Sequence, residues 1–123
     1  MPPSAVLLDV KVDQAARGEV SLSMRAAASF LNPAGHVQGG LLSAMLDEAT
    51  GIATLTTLDQ DEFAVTLEMK VQFISPAVEG GLQAHGRLIH RTGRIAFVEA
   101  DLSQKEGLVA RATATLMIKN ARK

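Results

Sequence analysis

An α+β fold is expected, with one long central helix and two strands before it and four after it in sequence. Three observations lead there. Residues 63–73 alternate without error, with Phe63, Val65, Leu67, Met69, Val71 and Phe73 set against Ala64, Thr66, Glu68, Lys70 and Gln72, which is the period of a half-buried strand. Over 39–58 the period changes: Leu41, Leu42, Met45, Ala49, Ile52 and Ala53 recur every three or four residues, as on an amphipathic helix. The remaining apolar runs are short and separated by glycine-bearing connections, the pattern of antiparallel neighbours.

In chain order, a weak strand is read over 6–12, then a clearer one in which Val20, Leu22 and Met24 alternate with Glu19, Ser21, Ser23 and Arg25. A loop containing Asn32, Pro33 and Gly35 leads into the helix, which at 1.5 Å per residue would be roughly 30 Å long. A second helical stripe is small or polar, with Gly40, Ser43, Ala44, Asp47, Thr50, Gly51 and Thr54. Small side chains there would let another element come close, and Asp47 is the only charge on the stripe. The strand 63–73 stops at Ser75-Pro76. Runs over 81–91, 94–103 and 108–118 follow, divided by Glu79-Gly80-Gly81, Arg91-Thr92-Gly93-Arg94 and Lys105-Glu106-Gly107. The total is about six strands and one helix in a single domain, 1–123.

Composition narrows the function classes. A chain of 123 residues with 47% apolar and 20% charged residues can bury one core and is not disordered. A formal net charge of −1 lacks the basic footprint that nucleic-acid or anionic-membrane binding needs. The absence of cysteine removes disulfides, a thiolate nucleophile and Cys-ligated zinc. The longest uncharged stretch, 26–46, contains Asn32, Pro33, Gly35, His36 and Gln38, which a bilayer does not tolerate. With no basic leader at the N-terminus, a soluble cytoplasmic protein is expected.

Chemistry is sought in the loop before the helix. Paired glycines at a helix start leave the first amides unobstructed, and these lack intrahelical partners, so they can receive an oxyanion or a phosphate. Read without further context, the segment is also an ordinary glycine-bearing turn. Asn32, Gly35, Gln38-Gly39-Gly40 and then Asp47, eight residues beyond Gly39, resemble the hotdog-fold acyl-CoA thioesterases of the phenylacetate-pathway type. That family shows an Asn, a Gly, a His-Gly-Gly and a helix-borne Asp in this order. The strand end Val71-Gln72-Phe73-Ile74-Ser75-Pro76-Ala77, the Arg91-Thr92-Gly93-Arg94 hairpin and the final strand from Ala110 to Thr115 match as well. One departure stands out, since Gln38 occupies the place of the family histidine while His36 lies two residues earlier.

The resemblance implies a long helix wrapped by an antiparallel sheet and hydrolysis of an acyl-CoA to acid and CoA, with no metal and no cofactor. By it Asp47 is the catalytic carboxylate, as nucleophile or as base for water. Gly39 supplies the oxyanion amide, with Gly40 as a second candidate, and Asn32 places the carbonyl or the water. Thr66 offers the hydroxyl that orients water, and Gln38 substitutes for the histidine by hydrogen bonding beside His36 at the substrate. Arg91 and Arg94, flanking a hairpin tip, could receive the CoA phosphates or could be a solvated turn. Glu48 is rotated about 100° from Asp47 and is read as structural. His85 and His90 receive no role.

Geometry adds an oligomer. Gly39 and Asp47 are about 12 Å apart along one helix, too far to act on one carbonyl, so they pair only across two subunits of a dimer. A dimer of dimers is also open. Two other readings stand beside hydrolysis: a hotdog dehydratase or hydratase using His36 with Asp47 or Glu48, and a non-catalytic acyl-CoA binder in which Gln38 marks lost turnover. The acyl group is not legible, and an acyl-carrier-protein thioester remains open beside CoA.

Overall fold

A computed structural model describes residues 2–121. A short helix α1 (Pro3–Leu7) is followed by β1 (Lys11–Ala16), β2 (Glu19–Ala26), a 3-10 turn at Ala28–Phe30, the long helix α2 (Gly39–Leu55), and then β3 (Glu62–Phe73), β4 (Gly80–Arg91), β5 (Ile95–Gln104) and β6 (Gly107–Asn120). The six strands form one antiparallel sheet in the order β1-β2-β4-β5-β6-β3. Strands β1 and β3 are its edges.

The sheet packs one face on α2. Leu42, Met45, Leu46, Ala49 and Ala53 are buried against Leu22, Leu82, Val98, Leu102 and Leu116, which alternate inward along their strands. Helix and sheet are in tight contact at Gly86, where a Cβ would stand 2.4 Å from the Ala49 carbonyl oxygen. Glycine at 86 is therefore required by the backbone of α2 itself. This approach is made to the Ala49 and Ala53 side, which belongs to the apolar stripe, and not to the small-residue stripe where one was expected. Thr50 and Thr54, read as part of the small-residue stripe, are fully buried. Their hydroxyls donate to the carbonyls of Asp47 (3.1 Å) and Thr50 (2.9 Å), which is how a helix buries threonine without leaving a polar atom unpaired.

Three further differences from the sequence reading have local causes. The weak strand read over 6–12 lies later in the chain, as β1 (Lys11–Ala16), and shares only Lys11 and Val12 with that range. Pro3 begins α1, a first-turn position that suits proline, and Ala5 and Leu8 are buried three residues apart. Asp9, with φ 52°, then turns the chain into β1. Helix α2 stops at Leu55 rather than 58, because the amides of Thr57 and Leu58 bond three residues back, to Thr54 and Leu55.

The third difference concerns β3. Its pairing with β6 slips between Thr66 and Glu68, so Leu67 is an extra residue, a β-bulge. Thr66 lies opposite Leu116 and Met69 opposite Ala114, both inward positions. Ahead of the bulge the inward residues are therefore Ala64 and Thr66, and beyond it Met69, Val71 and Phe73. Phe63 and Val65 turn to the outer face and, with Leu67, are 42–54% exposed. The expected single apolar face is split in two.

Candidate active site

The loop ahead of α2 is held by its backbone. Gly35, at φ 84°, makes the reversal that only glycine adopts freely. Asn32 closes the turn: its Oδ1 accepts the backbone amides of Ala34 (3.0 Å) and His36 (3.1 Å), and its own backbone N–H donates to the His36 carbonyl (2.7 Å). The amides of Val37 and Gln38 donate to Ala77 (2.8 Å) and Phe30 (2.9 Å). This fixes where α2 begins. The Gln38 carbonyl receives the amides of Leu41 and Leu42, which leaves those of Gly39 and Gly40 without an intrahelical acceptor. The Gln38 side chain does not cap the helix and is exposed. The Phe73 ring lies 3.3 Å from where a Gly39 Cβ would stand, so any side chain at 39 would displace it.

Two turns along α2, the exposed Asp47 carboxylate accepts the Thr66 hydroxyl at 3.2 Å through Oδ1. The bulge at Leu67 makes this pair possible by turning Thr66 toward the helix. Glu48, the next residue on the helix, instead accepts the Ser4 hydroxyl at 3.0 Å. Asp47 and Thr66 are thus brought together, as are Asn32, His36, Gln38, Gly39 and Gly40. The two groups are separated by the length of helix between them.

The arginines divide. Arg91 was expected at a hairpin tip, but β4 has its own bulge at Ile89, which turns Arg91 to the inner face. There it donates to the Thr57 carbonyl (2.7 Å) and to both Glu62 oxygens (3.1 and 3.0 Å). Its head ties the end of α2 to the start of β3 and is not free for a phosphate. Arg94 is exposed and has no carboxylate partner among the described residues. His85 pairs with Glu19 at 2.7 Å on the outer face, and among the described residues no helix is long and apolar enough to cross a membrane.

The Asp59 amide, donating to Glu62 at 2.9 Å, and then Arg91 hold the Glu62 carboxyl below its ordinary range. A carboxyl lowered in the folded state stabilises the fold above its unfolded value, and that contribution is lost as pH falls through the folded value. Arg91→Ala is expected to lower Tm at pH 7 and to flatten the acid-side decline of Tm between about pH 5 and 3. Circular-dichroism melts across that range check this, and a variant curve parallel to that of the wild type would contradict it.

Sequence reading missed Phe73 over Gly39, Glu62 as the partner of Arg91, and a trough beside Asp47 lined by Gly51, Ile52 and Leu55 of α2 and Ala64 of β3. The mid-helix glycine at 51 was the available signal for the last.

Comparison with known proteins agrees with this architecture. The family model of the thioesterase superfamily matches residues 34–111, the span from the Asn32 turn to β6. A candidate esterase of Saccharolobus solfataricus is 27% identical over 100 residues, 81% of this chain and 71% of that protein. A crystal structure from Ralstonia eutropha JMP134, described as a candidate thioesterase and phenylacetic acid degradation-related protein, superposes with a TM-score of 0.93 at 37% identity, covering 95% of this chain and 90% of that one. The E. coli PaaI protein of the phenylacetic acid degradation operon shares the fold, with a TM-score of 0.87 at 20% identity over 94% of this chain and 83% of its own. The two groups at either end of Gly39–Asp47 thus sit in a hotdog fold, and the chain belongs to the thioesterase superfamily as a thioester hydrolase of the phenylacetate-pathway type.

Proposed function

We propose that the protein hydrolyses acyl-CoA thioesters at two equivalent sites of a two-fold dimer, each combining Asp47 of one subunit with the Gly39 amide of the other. The observation that carries this reading is the placement of Asp47. It is exposed, bonded to Thr66, and about 12 Å along the same helix from two amides without intrahelical acceptors. One thioester carbonyl cannot span that gap, whereas antiparallel helices related by a two-fold axis set each Asp47 beside the partner's Gly39. Strand β3 supports the dimer, because it is a 12-residue sheet edge, and an unpaired edge of that length invites pairing with its own copy. Further pairing into a tetramer is compatible with the reading.

Asp47 then acts as the base. It draws a proton from water whose oxygen attacks the thioester carbon, and Thr66 helps hold that water. The developing oxyanion falls to the Gly39 amide, with Gly40 beside it, a donor worth about 3 to 4 kcal/mol in the transition state. The tetrahedral intermediate expels CoA thiolate, which leaves with the proton Asp47 had taken. The Nδ2 of Asn32, whose Oδ1 is spent on the loop, is the donor that places the carbonyl, and His36 and Gln38 line the approach. Arg94 takes the phosphate role first read for the pair Arg91 and Arg94. No cofactor enters the scheme, and a cytoplasmic location fits a CoA substrate.

The test is free-thiol release by the pure protein from a panel of acyl-CoAs. Release of one thiol per acid formed supports the reading. A change in enoyl absorbance without thiol would instead favour a hydratase, and tight binding without either would indicate a non-catalytic acyl-CoA protein.

A further inference from the structure

The trough beside Asp47 has a chemistry of its own. It encloses about 360 Å3 between α2 and the start of β3. Asp47, Glu48 and Thr66 stand at one end, and Gly51, Ile52, Leu55, Leu58, Phe63 and Ala64 line most of the rest. Asp47, Gly51 and Leu55 are four residues apart and form one helical stripe, while Thr66 and Ala64 are successive inward residues of β3. Two lengths agree: from Asp47 to Leu55 is about 12 Å of helix, and from Thr66 back to Phe63 is roughly 10 Å of strand.

Gly51 is informative because glycine inside a helix is disfavoured relative to alanine and nothing lies within 4 Å of where its Cβ would stand. The packing of this chain does not require it. What the missing side chain does is keep the trough open one turn beyond Asp47. Past that turn the lining offers no hydrogen-bonding side chain, since Glu48 is held by Ser4. A pantetheine arm, with its two amides, would leave polar groups unpaired there, whereas an alkyl chain needs no partners.

We propose that, granted the thioester hydrolysis argued above, this trough seats the acyl chain of the substrate and selects straight aliphatic acyl groups of medium length. An extended chain advances about 1.25 Å per carbon, given C–C bonds of about 1.5 Å, so the trough holds about eight to ten carbons counted from the carbonyl. Gly51, about 6 Å beyond Asp47, is the residue that admits chains longer than four or five carbons.

Thiol release is measured from acetyl- to hexadecanoyl-CoA. kcat/KM is expected to rise about three- to fourfold per methylene up to about eight to ten carbons and to rise no further. Gly51→Leu, which has space for its side chain in the free subunit, is expected to cut the octanoyl-to-butanoyl ratio of kcat/KM at least tenfold. Leu55→Ala, at a position 60% exposed, is expected to lower the decanoyl-to-hexanoyl ratio several-fold. A flat wild-type profile from butanoyl to decanoyl would overturn the proposal. So would an equal loss on both chain lengths in Gly51→Leu, the result if glycine there merely lets another helix approach. Absence of thiol release from every acyl-CoA would refute hydrolysis and not the trough, which is then tested by titrating S-alkyl-CoA thioethers. Affinity that climbs with alkyl length and is lost in Gly51→Leu supports the trough, and affinity independent of length overturns it.

Discussion

Asp47→Asn is expected to lower the kcat of thioester hydrolysis by at least ~10² while the protein stays folded. The asparagine carbonyl can still accept the Thr66 hydroxyl that Asp47 Oδ1 accepts at 3.2 Å, so the geometry survives and only the anionic base is lost. Glu48→Gln serves as the comparison. Its side chain keeps an acceptor for Ser4 and, unlike Asp47, has no bond to Thr66, so kcat should change little. Steady-state thiol release and a melting curve for each variant decide the matter, and a reversal of the two effects would mean that the other carboxylate of the pair does the chemistry.

Restoration of activity by mixing two inactive variants is the second large effect expected. Asp47→Ala removes the base, and Gly39→Pro removes the amide donor at a helix start where proline's fixed φ is tolerated. Each homodimer should be nearly inactive. In a heterodimer of the two, one interface site collects both defects and the other collects neither. Unfolding equal amounts together and refolding them makes about half of the dimers mixed, so activity should return to about a quarter of the wild-type level. Each variant refolded alone is the control. Were Asp47 and Gly39 to act within one chain, every site would carry one defect, and proven heterodimers would recover nothing. Gly39→Pro must also accommodate the Phe73 ring 3.3 Å from the Cβ position, so Gly39→Ala, which keeps the amide, reports the cost of that contact separately.

Much of the fold could be read from the sequence because periodicity reports burial directly. Helix α2 begins at Gly39 as its glycine pair implies, and strands β3 to β6 fall within a few residues of the runs that alternate. Two of the misreadings, at Thr66 and at Arg91, share a cause. Strict alternation from Phe63 to Phe73 gives no sign that Leu67 is skipped, since a bulge is a property of two strands in register and not of one. For that reason Thr66 was assigned to the polar face, while it in fact faces α2. The bulge at Ile89 hid Arg91 in the same way, and its engagement with Glu62 and Thr57 depends on elements 29 and 34 residues away. The loop residues Asn32 to Gly40 were legible because proline, glycine and asparagine constrain the backbone locally. The trough was not, since its walls come from α2 and β3, and no single segment carries their spacing.

The skipped residue in β3 also determines which changes in the chain the site can absorb. Thr66 stands against Asp47 only while one residue more lies on β3 than on the matching stretch of β6. Removing Leu67, or adding a residue opposite it, would turn one half of β3 over relative to the other. The Asp47–Thr66 pair and the Phe73 cover of Gly39 lie on opposite sides of that point, so both could not be kept. Exchanging the exposed Leu67 for another residue leaves the count intact. Along the outer face of β3, drift in residue identity should therefore be well tolerated and drift in length hardly at all, making the strand's residue count, beside the identities of Thr66 and Phe73, an inherited quantity on which the site depends.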